Sequence, residues 1–72
     1  MKPEVGCNTV AARERLLYEV KGPACTAQVW SDTLGFQLTE NGTTVRVYMT
    51  RPGVVVEAKR DAEALAQKGD LS

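Results

Sequence analysis

The chain has 72 residues, 43% of them hydrophobic and 25% charged, with nine Lys plus Arg against nine Asp plus Glu and no histidine. That length allows one domain, residues 1–72, which removes only about 60% of its unfolded surface from water and is marginal by itself. The hydrophobic fraction excludes a disordered chain, the zero net charge argues against a dedicated nucleic-acid binder, and the missing histidine removes the commonest general base and metal ligand.

Near the N-terminus stand Cys7 and, eighteen positions on, Cys25. No secretory apolar stretch precedes them, and no apolar run approaches the roughly 18 residues of a membrane span. The favoured expectation is two free thiols in a reducing cytoplasm, with a Cys7–Cys25 disulfide as the alternative. Two cysteines do not make a four-ligand zinc site, and no metal or cofactor is expected.

Asn8 or Thr9 can cap a short helix over about 9–15, where Ala11 to Leu16 favour helix by propensity. Leu16, Tyr18 and Val20 then alternate with Leu17, Glu19 and Lys21, which predicts a strand over about 16–21. Gly22-Pro23 breaks the chain, and Cys25 to Ser31 reads as the next strand.

The clearest element is a hairpin over 34–50. Asn41-Gly42 suits a two-residue type I′ turn, which requires positive φ at both positions. A two-residue loop pairs Glu40 with Thr43, and continuing that register pairs Leu38 with Val45, Phe36 with Val47 and Leu34 with Met49. All three apolar pairs then share one face. Gln37 is expected opposite Arg46 on the outer face, and Tyr48 opposite Gly35, which it would cover.

After Pro52-Gly53, the valines at 54–56 favour a short strand. Ala58, Ala62, Leu65 and Ala66 recur at helical spacing, which predicts a helix over about 57–68 with Gly69 as its terminator. The fold class is α+β: a small antiparallel β-meander of about three to five strands, packed by a C-terminal helix.

No phosphate loop, nucleotide fingerprint, calcium loop or heptad run is present. Ser31 and Ser72 have no histidine to activate them, and neither cysteine has an identifiable partner to lower its pKa. A non-enzymatic protein is expected. An open sheet has two edges that one thin helix does not cover, and unpaired edges invite another strand. The leading expectation is a small cytoplasmic interaction or regulatory protein, a homodimer, binding a larger protein through its sheet face or edge. The candidate contact residues are Trp30, Arg46, Tyr48 and Arg51. Trp30 faces outward if Val29 faces the core, and a core position for Trp30 is slightly favoured. The alternatives are a nucleic-acid module using Arg46, Arg51, Lys59 and Arg60, with Tyr48 stacking on bases, and a structural subunit of a larger assembly.

Overall fold

The computed structural model describes residues 12–70. Four strands, β1 (Arg15–Lys21), β2 (Thr26–Ser31), β3 (Gly35–Glu40) and β4 (Thr43–Met49), precede one helix, α1 (Val54–Lys68). The strands form one antiparallel sheet in the order β1-β2-β3-β4, the meander expected from the sequence. Helix α1 lies across one face of the sheet, and the core fills the space between them.

Strand alternation places that core. Ala27, Val29 and Leu38 are fully buried beneath the helix stripe Val54, Ala58, Ala62, Leu65 and Ala66. Burial of Val29 and Leu38 stabilises the fold by about 1.5–3 kcal/mol each. The helix alanines bury little area themselves, but their size lets α1 settle close to the strands. Leu17, Tyr18, Val20, Phe36 and Val55 complete the core at its margins.

The helix begins three residues earlier than its expected start. Residues 54–56 form its first turn instead of a strand. The cause lies in Arg51-Pro52-Gly53-Val54, where the Val54 amide donates to the Arg51 carbonyl at 3.1 Å and Gly53 takes φ 79. That is a type II turn, with Pro and Gly at its two central positions. The turn aims the chain straight into a helix, and Val54 falls on the buried stripe four residues before Ala58. At the other end Gly69 (φ 72) closes α1, its amide donating to the Leu65 carbonyl at 2.6 Å.

The expected N-terminal helix does not extend over 12–14, which carry no helical structure; residues 9–11 and Cys7 lie outside the described residues. The Glu14 amide instead donates to the Ser31 carbonyl at 2.8 Å and prolongs the β1–β2 ladder. Pairing with an available neighbouring strand outweighs helix propensity here, because one short helical turn nucleates poorly.

The main correction concerns the register of the central hairpin. Glu40 pairs with Thr43 as expected, but Leu38 then pairs with Arg46, Phe36 with Tyr48, Gln37 with Val47 and Gly35 with Met49. A bulge between Thr44 and Arg46 takes up Val45 and shifts the rest of β4 by one position. Arg46 and Tyr48 therefore point towards α1, whereas Val47 and Met49 turn to the opposite face. Tyr48 does not cover Gly35, and Gln37 does not face Arg46. The physical reason is the size and reach of Tyr48. It buries more apolar area than Val47 would, and its hydroxyl meets Asp61 on the helix at 2.6 Å. A bulge costs little on an edge strand.

A candidate interaction face

Among the described residues, no helix lies over the face of the sheet opposite α1. One row of side chains crosses all four strands: Leu16 pairs with Trp30, Trp30 with Gln37 and Gln37 with Val47. Val29 is fully buried on the helix side, so its neighbour Trp30 projects to the open side, contrary to the core position slightly favoured for it. Met49, opposite Gly35, extends the row at the end nearest the β2–β3 turn. Leu16, Val47 and Met49 are 43%, 53% and 77% exposed. The turn adds Leu34, which is exposed rather than paired with Met49.

A polar framework holds this face in shape. Gln37, fully buried at its centre, donates from Nε2 to Asp32 Oδ2 at 2.7 Å and accepts at Oε1 from Thr44 Oγ1 at 3.0 Å. Asp32 uses its other oxygen to accept the Leu34 and Gly35 amides, both at 2.7 Å, which fixes the β2–β3 turn. Arg13 reaches over the same face. Its Nη2 donates to the Gly42 carbonyl at 2.6 Å and to Thr44 Oγ1 at 3.2 Å, its Nε donates to Gln37 Oε1 at 3.4 Å, and its guanidinium lies 5.9 Å from the centre of the Trp30 ring. The indole Nε1 of Trp30 donates to Gln28 Oε1 at 3.3 Å, and Gln28 in turn donates to Glu19 at 2.7 Å. Trp30 is thus half-buried, oriented by a cation on one side and an amide on the other, with Leu16 beside it in the row and Gln37 between it and Val47. Replacing Gln37 with alanine removes the centre of this framework. It is expected to lower stability by about 1–3 kcal/mol, read from urea unfolding, and to speed amide exchange in the Asp32–Gly35 turn.

The sequence-based candidates are not brought together. Trp30 lies on the open face. Arg46 and Tyr48 lie on the helix face, where both bind Asp61; the Arg46–Asp61 ion pair is 2.9 Å long. Arg51 pairs with Glu57 beside the start of α1. Lys59 sits 5.3 Å from the Tyr18 ring centre, and Arg60 is exposed on α1. Arg46, Arg51 and Lys59 are thus engaged by acidic or aromatic neighbours, and Tyr48 is 4% exposed, with its ring in the core. Leu16, Val47, Met49 and Arg13 were not among the candidates. The run Val45, Val47, Met49 is visible in the sequence, but alternation alone assigns it to the core.

Burial and hydrogen bonds shift several titratable groups. Burial and the hydrogen bond to Asp61 push the Tyr48 phenol well above its ordinary value. The hydrogen bond to Glu63 raises Tyr18. Burial, with a smaller effect from Glu40, raises the Cys25 thiol, which rests 3.4 Å from the Leu65 carbonyl. A protonated, buried thiol is a poor nucleophile. Among the described residues no group of His, Cys, Asp and Glu is placed to hold a metal ion, and no helix is long and apolar enough to cross a membrane. Comparison with protein-family models, curated proteins and solved structures finds no match to this chain.

Proposed function

We propose that this chain is a small, non-enzymatic, cytoplasmic interaction protein that works as a homodimer and binds a larger protein through the open face of its sheet. The observation that supports this reading is the row Leu16, Trp30, Val47 and Met49, apolar side chains held on a rigid polar framework and left uncovered by α1. Contiguous exposed apolar surface marks interaction sites, and tryptophan is enriched among the residues that dominate binding energy. Arg13 and Gln28 orient the indole before any partner arrives, which lowers the ordering cost of association.

The test is capture of partners from source-cell lysate by the tagged chain, with and without nuclease and at low and high salt, repeated with Leu16→Lys and Trp30→Ala. The expected result is one protein retained under all four conditions and lost, by tenfold or more, with either variant while the circular dichroism spectrum is unchanged. Retention that both variants leave intact would remove the open face as the site. Nucleic acid recovered in a salt- and nuclease-sensitive manner would replace this reading with a nucleic-acid-binding one. Discrete large oligomers without a soluble partner would favour a structural subunit.

A further inference from the structure

The two edges of the sheet are not alike. The β1 edge carries Arg15, Glu19 and Lys21 and ends at Gly22-Pro23. Charged side chains and a nearby proline discourage further strand pairing. The β4 edge has no lysine, proline or carboxylate, and its one charge, Arg46, is drawn onto the helix side by Asp61.

The orientation of its backbone groups follows from the hairpin. Glu40 and Thr43 flank a two-residue loop, so they exchange backbone hydrogen bonds, and such pairs alternate along a ladder. Beyond the bulge, Phe36·Tyr48 is again a pair of this kind. A Cβ on Gly35 would collide with the Tyr48 carbonyl oxygen, which places that carbonyl on the β3 side. Val47 and Met49, on either side of Tyr48, consequently turn their N–H and C=O groups outward. The bulge at Val45 interrupts this pattern, so regular pairing is available only from Val47 onward.

The geometry points to a second copy of this chain as the occupant of that edge, paired antiparallel about a two-fold axis at Tyr48. Val47 then lies opposite Met49 of the second copy, and Met49 opposite its Val47. This register makes about four backbone hydrogen bonds. It also sets apolar side chains against each other on the open face and joins the two open faces into one continuous surface. The edge is self-complementary, as an isologous contact requires. The charged β1 edge blocks the alternative β4-to-β1 stacking that would grow a filament. Zero net charge leaves little long-range repulsion to oppose self-association. The contact is short, at the low end of specific interfaces, so the dimer is concentration-dependent.

This inference rests on the homodimer reading above. Analytical ultracentrifugation of the full chain from about 10 μM to about 1 mM separates the two. The expected result is a monomer–dimer equilibrium weakened at least tenfold by Val47→Pro, which deletes an outward amide, and by Met49→Lys. Leu16→Lys, on the same face but at the far edge, leaves it unchanged. Amide exchange at Val47 and Met49 slows as concentration rises. A dimer indifferent to both β4 variants overturns the β4 contact but leaves a homodimer by another surface. A wild-type monomer across the whole range overturns both. If Val47→Pro unfolds, Met49→Lys decides, since that side chain is 77% exposed.

Discussion

Replacing Gly22 with alanine is expected to lower the stability of the domain by about 2–3 kcal/mol, through one methyl group. The β1–β2 turn seats directly on the last turns of α1. Ala24 donates its amide to the Ala66 carbonyl at 2.9 Å, and the Cys25 thiol rests on the Leu65 carbonyl. The turn thereby satisfies the Ala66 carbonyl, one of those that a helix C-terminus leaves without an intrahelical partner. A Cβ at Gly22 would lie 2.6 Å from the Ala66 carbonyl carbon and 2.8 Å from its Cβ. Both obstacles belong to a packed helix, one of them backbone, so relief requires turn and helix to separate. Separation would cost the cap as well as the packing. Domains of this size hold on the order of 0.05–0.15 kcal/mol per residue, so a large share of the total stability is at risk. Urea unfolding of wild type and Gly22→Ala measures the loss. A change under 0.5 kcal/mol would mean that turn and helix are not in contact in solution. Gly42→Ala serves as a comparison, because nothing lies within 4 Å of a Cβ there and its cost comes from φ 92 alone.

Tyr48→Ala is expected to cost about 3–5 kcal/mol, enough to unfold much of the population at 25 °C. The ring is buried and the hydroxyl ties β4 to α1 through Asp61. Tyr48→Phe keeps the ring and removes the hydrogen bond, for a loss of about 1.5–3 kcal/mol typical of bonds to charged groups. Val47→Ser, one residue away, is expected to change stability by less than about 0.5 kcal/mol at its exposed position. The contrast between neighbours tests the register. With Val47 in the core and Tyr48 outside, the order of the two effects would reverse.

The phenol adds a pH dependence. Its folded pKa is raised above the unfolded value near 10, so the folded state holds the proton more tightly. The stabilisation is complete below about pH 10. It is lost as pH rises from there through the folded pKa, because the unfolded chain ionises first. Tyr18 is raised as well and acts in the same direction, and the Cys25 thiol does so from its own ordinary value of 9.0 upward. Stability is therefore expected to fall in alkali, and Tyr48→Phe to make that fall shallower. An equal alkaline slope in wild type and Tyr48→Phe would show that the phenol is solvated in the folded state.

Local chemistry made much of this molecule legible in its sequence. Gly22-Pro23, Asp32 to Gly35 and Asn41-Gly42 mark turns because backbone conformation there depends on the residues at the turn itself. Asn41 has φ 50 and Gly42 φ 92, as the Asn-Gly turn demands. The stripe Ala58, Ala62, Leu65, Ala66 and the stop at Gly69 fix a helix by spacing alone. Together these determine an antiparallel meander followed by a helix, and the α+β class with it. What the tertiary structure decided was which side of β4 faces inward. Alternation proposes two equivalent faces for a strand, and Val45, Val47 and Met49 look like the inner one. The choice fell to a bulge, because Tyr48 and Arg46 both find Asp61 on a helix, thirteen and fifteen residues further along respectively. No local pattern reports a contact of that kind. The same choice moved Tyr48 and Arg46 out of the candidate surface, placed Val47 and Met49 on the same face as Trp30, and left apolar side chains at 47 and 49 on the outer strand β4.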